Sequence, residues 1–444
     1  MDQLNKIAMK NKSLQYNYKG DANIPIGILG MVDDTLAVSE CGNKAIRKNA
    51  VLNSFVETQR LTLSKEKSVV LHYGKENNCN LPCPTLKVHK DVMQKEESTK
   101  YLGNILSTKG GITCTIEDRR NKGWGKISTI MGILTEVEMG GNKLEAGLLM
   151  REAILISGLL YSAETWSGVT EKHLARLEVV DSALLVRLTG GHSKCPTEYN
   201  YLETGSLKLR HHLTYLRLLY HHHILTRDKN KTISKIYYKQ KEEKTKGDWF
   251  QSLKKDFEFI KVDMNEDSIS QTPKSVYKKT IWSLVKKAAF EYFMNLKKTH
   301  TKLDNLTYTQ LKPQAYMSST HITQKQKELL YVLRSTCYGV KNNFKKLYKN
   351  DLTCRFGCTQ NEDQYHAFTQ CQPILHKLKY LGIIQYNDIF GSTHEQINTI
   401  GKLYNIDQLR NHILKKHISP GGQDCQDPCT FGYTLIGAAD FISC

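Results

Sequence analysis

Two groups of residues in this chain could do chemistry. The first is the dipeptide Asp33-Asp34. It lies between Ile26, Ile28, Leu29, Met31 and Val32 on one side and Leu36, Ala37 and Val38 on the other. Short apolar runs bounded by Gly and Asp read as buried strands joined by a tight turn. Residues 24–39 are therefore expected to form a β-hairpin with both carboxylates at its tip and a dry base. Carboxylates so placed repel each other, and a divalent cation between them removes the repulsion. Mg²⁺ takes one or two carboxylates together with substrate phosphates, and two such ions can clamp an in-line phosphoryl transfer. Asp also favours turns, so the dipeptide alone would read as an ordinary turn.

The second group is Cys354-x₃-Cys358-x₇-His366-x₄-Cys371. Three thiolates and one imidazole make a closed tetrahedral shell for Zn²⁺, which is a structural arrangement with no open position for catalysis. Metal binding would itself fold so small a segment. The competing reading is three unrelated thiols and a surface histidine. Cys79 and Cys83 also have a metal-like spacing, but no second ligand pair is near, and a proline-bearing loop is the better reading. Cys425 and Cys429 have no evident partners.

The elements that would position these groups follow from local pattern. Residues 42–55 read as a helix. Residues 61–71 read as a Lys-bearing turn running into a β-branched strand, and 100–111 as a second hairpin with glycines at its end. From 113 to 191 the chain turns helical. Leu148, Leu155 and Leu159 form one stripe, with Leu149, Ile156 and Leu160 beside it, at helical spacing. Thr170 reads as an N-cap. Residues 206–227 form an Arg- and His-rich helix whose histidines contain no i,i+4 pair, so no metal site is expected there. Arg210 and Arg217 could contact phosphate or belong to a solvated face. The charged stretch 228–274 reads as a boundary. Beyond it, 276–298 and 321–350 read as helices with basic ends. Lys286, Lys287, Lys345 and Lys346 beside aromatics suit backbone-tracking nucleic-acid contact. A last helix is expected at 394–415. The fold class is α+β and mostly helical.

In this order the motifs resemble the second half of the palm of a reverse transcriptase of LINE-type, Dong-like, non-LTR retrotransposons. There a Phe/Tyr-Ala-Asp-Asp box is followed by a Leu-x-Ile-Asn-x-x-Lys motif and a Tyr-Leu-Gly hairpin. Here these are Met31-Val32-Asp33-Asp34, the stretch 61–67, and Tyr101-Leu102-Gly103. The resemblance continues through a thumb-like helical region and the Cys-Cys-His-Cys finger, and so covers most of the chain. It implies Mg²⁺ on Asp33 and Asp34, Lys67 near the incoming nucleotide favouring pyrophosphate departure, and Tyr101, Leu102 and Gly103 positioning the primer end. It implies an RNA template and a DNA primer as partners, and a nuclear location.

The same resemblance calls for a third carboxylate on an earlier strand. Only thirty-two residues precede Asp33, and Asp2 and Asp21 are their only acids. Neither lies in a strand-like run. The fingers, the first palm strand and its Asp are therefore expected to be missing. Catalysis that depends on positioning fails when positioning groups are lost, so the chain by itself is expected to be inactive unless a full-length element protein supplies the rest in trans. Two alternatives stay open: a nucleic-acid-binding module without catalysis, and an inert remnant. No Pro-Asp dipeptide is present, so the restriction-like nuclease of related elements is not expected.

With 444 residues the chain has room for two or three domains. The expected division is a partial palm (1–75), a primer-grip hairpin and connector (76–112), a thumb (113–227), a basic helical region (228–350), a zinc finger (351–375) and a tail (376–444). A net charge of +19 favours a polyanionic partner. The polar start and the short apolar run 153–163 are read as excluding a secretory signal and a membrane span. Twelve cysteines in an intracellular setting read as reduced thiols, with a few on metal.

Overall fold

A computed structural model describes residues 2–73, 85–136, 143–191, 195–348 and 351–417. Cys79, Cys83, Cys425 and Cys429 lie outside them. The described chain is mostly helical, with five two-stranded sheets, in keeping with the α+β expectation. It divides into two compact units: Met1–Gly123, Gly158–Leu177 and Leu209–Val285 form the first, and Trp124–Ser157, Glu178–Lys208 and Lys286–Cys444 the second. No helix among the described residues is long and apolar enough to cross a membrane.

In the first unit the strands Ile28–Met31 and Asp34–Ala37 pair antiparallel, Met31 opposite Asp34, around a tight Val32-Asp33 turn. The expected dry base is not there. Of the two strands only Ile28 is buried, packed with Leu4 and Ala8 of the helix Asp2–Lys10 and with Val51, Leu52 and Phe55 of the helix Gly42–Thr58, while Ile24 and Gly27 are buried just ahead of them. Leu29, Met31 and Val32 are exposed. A two-stranded ribbon has one face to bury, and here two helices cover it while the other face stays open. The strand Val69–Leu71 pairs in parallel with Gln94–Glu96, and Ser98–Tyr101 with Asn104–Ser107 in a hairpin.

The charged stretch 228–274 carries three helices, Thr232–Glu243, Trp249–Ile260 and Glu266–Gln271, all packed on the helix Leu209–Leu225. Its polar composition hides the apolar face that does this. Trp249, Phe250, Leu253, Phe257 and Ile260 recur at helical spacing and are all buried. Asp248 caps that helix through its carboxylate on the Gln251 amide. Thr170 caps the helix Glu171–Thr189 as expected, its hydroxyl accepting from the His173 amide.

In the second unit, residues 143–159 are helical but pass through a π-turn at Arg151–Ile156. The extra residue shifts the inner face. Leu149 is exposed, while Leu144, Gly147, Arg151 and Leu155 are buried. The helix expected over 321–350 spans Gln324–Arg334 and stops at Thr336, whose φ of 51° is left-handed. The helix Thr393–His417 matches the expected one.

Candidate metal centre and hairpin site

The Cys/His cluster closes on itself. The ligand atoms of Cys354, Cys358, His366 and Cys371 all lie within 4.8 Å of one another. Residues 353–361 bend back into a knuckle, with a bridge between Thr353 and Asn361 and the Cys354 amide donating to the Gln360 carbonyl. Gly357 takes a φ of 84° at its bend, and its amide donates to the Cys354 carbonyl. The one-turn helix His366–Gln370 presents its histidine and hands the chain to Cys371, whose amide donates to the His366 carbonyl.

Spacing between the sulfurs tests the donor set. Cys371 Sγ is 3.8 Å from Cys354 Sγ and 3.9 Å from Cys358 Sγ. A tetrahedral Zn²⁺ with Zn–S bonds of about 2.3 Å separates its sulfurs by about 3.8 Å. These thiols therefore stand at the edge length of a zinc tetrahedron and well beyond a disulfide bond. Nδ1 of His366 is 2.7 Å from Gln360 Oε1. That partner fixes the proton on Nδ1, while Nε2 is buried with no hydrogen-bond partner, as a metal ligand requires. Burial holds the His366 imidazole below its ordinary pKa. Burial, with the Cys354 charge next, pushes Cys358 and Cys371 up. Three thiols at this spacing, beside a buried imidazole nitrogen with no hydrogen-bond partner, form the donor set a tetrahedral cation takes. The Cys₃His cluster can hold a structural metal such as zinc.

The cluster is braced from behind. Glu362, fully buried, accepts from Arg355 Nε at 2.7 Å and from Arg410 of the helix Thr393–His417. The Arg410 guanidinium also lies 4.6 Å from the Phe356 ring centroid. Sequence spacing found the ligands, but nothing local to Glu362 marks it as their support.

Asp33 and Asp34 sit at the hairpin tip, both exposed. Val32 precedes them at a φ of 56°, a strained setting for a β-branched residue. Lys67 is exposed in the turn before Val69–Leu71. In the second hairpin, Leu102 and Gly103 take φ values of 45° and 79°. Gly103 is required there twice over. Its backbone is left-handed, and an added Cβ would stand 2.9 Å from the Tyr161 ring. Arg119 donates to the Gly103 carbonyl and lies over the Tyr161 ring. Asn104 accepts from Trp166 Nε1 at 3.3 Å and donates to Ser162 at 2.8 Å. Burial raises the Tyr101 phenol, and the Asp34 charge raises it further.

Beneath the first hairpin lies Lys48, which sequence reading missed. It is buried and donates from Nζ to the carbonyls of Val38 and Gly27, bridging the feet of both strands. Burial lowers its pKa to about 8.

The basic residues divide. Lys287, Lys345 and Lys346 are exposed, and Lys286 is half-buried. Arg210 pairs with Glu171 at 2.7 Å. Arg217, expected as a possible phosphate contact, is instead buried against Asp256 at 2.6 Å. That burial withdraws it from any phosphate. The histidines of the same helix are built into the core: His211 stacks on Phe259, and His222 stacks on Tyr277 and donates to the Thr272 carbonyl.

In comparisons with known proteins, no family model, no curated protein and no solved structure matches this chain.

Proposed function

We propose that this chain is the polymerase half of a retrotransposon-type reverse transcriptase, a nuclear protein acting on an RNA template and a DNA primer. Asp33 and Asp34 are the residues that would hold Mg²⁺, which would supply charge neutralisation for phosphoryl transfer. The observation that supports this reading best is the pair of tight-turned hairpins in one unit, Asp33 and Asp34 at the tip of the first and Leu102 and Gly103 in the left-handed turn of the second. A turn that would bind metal and a turn that would grip a primer end are the two parts templated extension needs. Tyr101, Leu102 and Gly103 would set the position of the 3′ end, their backbone fixed by Arg119 and Tyr161. Lys67 would meet the departing pyrophosphate. The Cys₃His cluster would hold Zn²⁺ as a structural staple for the C-terminal helices.

The test is primer extension on an RNA template with Mg²⁺. Asp33→Ala/Asp34→Ala abolishes extension by the polymerase. Equal, non-zero product from wild type and variant, with or without a longer element protein added, would sink the proposal. If a longer element protein supplies a third carboxylate in trans, extension appears only when it is added.

A second reading is favoured by the exposure of both carboxylates and of Lys287, Lys345 and Lys346. It is a nucleic-acid-binding module without chemistry. Salt-dependent affinity would then survive Asp33→Ala/Asp34→Ala and fall in Lys345→Ala/Lys346→Ala.

A further inference from the structure

Arg410 is 1 % exposed, and only part of its guanidinium is used. It stands on the helix Thr393–His417 and is clasped by the ligand loop in two ways. Nη2 donates to Glu362, the carboxylate that also accepts from Arg355 Nε. The Phe356 ring, between Cys354 and Cys358 in sequence, has its centroid 4.6 Å from Arg410 Cζ. The Phe356 amide itself donates to Cys354 Sγ at 3.5 Å. Nε and Nη1 of Arg410 are buried and have no acceptor among the described residues. Asp407, three residues earlier on the same helix, is buried too, and it accepts from the Tyr338 hydroxyl at 2.6 Å. The neighbouring cations are committed elsewhere. Arg355 donates to Glu362 and the Gly339 carbonyl, and Lys341 pairs with Asp351. Arg410 therefore has N–H groups left to give beside the Cys/His cluster.

We propose that Arg410 donates hydrogen bonds to the thiolates of the Cys₃His centre when a divalent metal is bound, and that it keeps those thiolates unreactive. This rests on the metal reading above and is independent of the hairpin site. Three thiolates and a neutral imidazole on a divalent cation leave one net negative charge. Cys354 and Cys371 are buried, so that charge is held away from water. A buried charge needs an opposite charge and hydrogen bonds, and a guanidinium stays protonated wherever it is placed. Arg410 offers both, and a bond between an ionised donor and an ionised acceptor is among the strong ones. Its charge is also felt at the ligands. Burial and the Cys354 charge raise the Cys371 thiol, and Arg410 is the foremost influence against them. The thiolate is the reactive form of cysteine. An N–H group on its lone pair leaves less electron density for an outside electrophile, which suits a centre that holds chain rather than one that reacts.

The test uses the full chain, stripped of metal under reductant and reloaded with Co²⁺ or Zn²⁺. Arg410→Met keeps the length of the side chain and removes its donors, while Arg410→Lys returns a charged donor. In Arg410→Met the sulfur-to-cobalt charge-transfer bands are expected to move to lower energy, with the ligand-field bands of the four-coordinate ion unmoved. Zinc is expected to bind it about 10–100-fold more weakly, and iodoacetamide to alkylate its zinc-loaded thiolates roughly tenfold faster, with Arg410→Lys in between. Glu362→Gln loosens the brace but keeps the donor, so its bands should match those of wild type. Bands that stay put in Arg410→Met, or that move as far in Glu362→Gln, would overturn the proposal and leave the metal reading standing. Arg410 would then be a brace whose other N–H groups meet buried water. Wild type that takes up no Co²⁺ would overturn both. One measurement needs no variant and decides even if Arg410→Met fails to fold. With a magnetic cadmium isotope in the centre and isotopically labelled arginine, the Arg410 N–H signal is expected to couple to the metal through sulfur. An Arg410 signal without that coupling would overturn the proposal.

Discussion

Arg151 and Asp181 face each other through two parallel hydrogen bonds, Nε to Oδ1 at 2.6 Å and Nη2 to Oδ2 at 2.7 Å, with neither side chain reaching solvent. Tyr201 donates to the same carboxylate at 3.0 Å, and the Leu207 carbonyl accepts from Arg151 Nη2. The arrangement is fully satisfied, so its energetics are asymmetric. Removing one partner strands a buried charge. Removing both as apolar residues costs far less. Asp181→Ala is expected to lower the stability of the second unit by about 3–5 kcal/mol, while Arg151→Met/Asp181→Leu recovers most of that loss. Urea titration of both variants, followed by circular dichroism, checks the pair. A double variant no more stable than Asp181→Ala would show that the ion pair is not what the site loses.

Gly205 offers a sharper test of packing. Its φ is 63°, and an added Cβ would fall 2.3–2.5 Å from the Lys312 and Pro313 backbone. Backbone cannot swing aside as a side chain can. Gly205→Ala is expected to cost more than about 2 kcal/mol, from left-handed strain plus the collision. Gly110, with a φ of 71° and open space around it, isolates the strain. Gly110→Ala should cost only about 1 kcal/mol. Thermal melts of the two variants, compared with wild type, read the difference.

These two sites show where sequence reading stops. Turns and caps were legible because their causes are local. The Asp33 hairpin, the Tyr101–Gly103 hairpin and the Thr170 cap each follow from a few adjacent residues. The candidate metal ligands were legible because spacing alone restricts where four donors can meet. Arg151 was not. It takes a core position because Asp181, thirty residues on, matches it. Glu203 is buried for the same kind of reason, held by Tyr308, Tyr316 and Arg334 at 2.7–2.9 Å from more than a hundred residues away. Burial of the first hairpin was overestimated because an apolar run states what could be covered, and only the helices Asp2–Lys10 and Gly42–Thr58 decide what is.

The metal centre makes its own prediction. Protein purified without chelator is expected to carry one zinc per chain by elemental analysis, and Cys371→Ser to carry none. Gln360→Ala leaves four ligands but removes the acceptor that orients His366. It is expected to bind zinc about 10–100-fold more weakly in a chelator competition. Glu362 and Arg410 join the ligand loop to the helix Thr393–His417. Zinc removal should therefore speed amide exchange in that helix as well as in the knuckle. Exchange that stays slow in the helix after chelation would show that it is held without the metal.

Acid sensitivity of the first unit should trace to His221. Its ring is buried between Tyr237, whose hydroxyl lies 3.0 Å from Nε2, and Phe257. Burial lowers its pKa from 6.5 to about 4, with Lys241 and His222 lowering it further and Glu266 opposing them. The unfolded chain takes up its proton near pH 6.5, and the folded chain resists until about pH 4. Between those values the unfolded state binds more protons, so stability falls as the pH falls. The contribution is fully present above pH 6.5 and is lost by about pH 4. A proton held off over that pH range makes this one ring responsible for about 3 kcal/mol. His221→Gln keeps a polar side chain facing Tyr237 but cannot titrate. Urea midpoints measured at neutral pH and again just above the folded-state pKa should differ markedly in wild type and much less in the variant. Equal pH slopes in the two proteins would place the acid lability elsewhere.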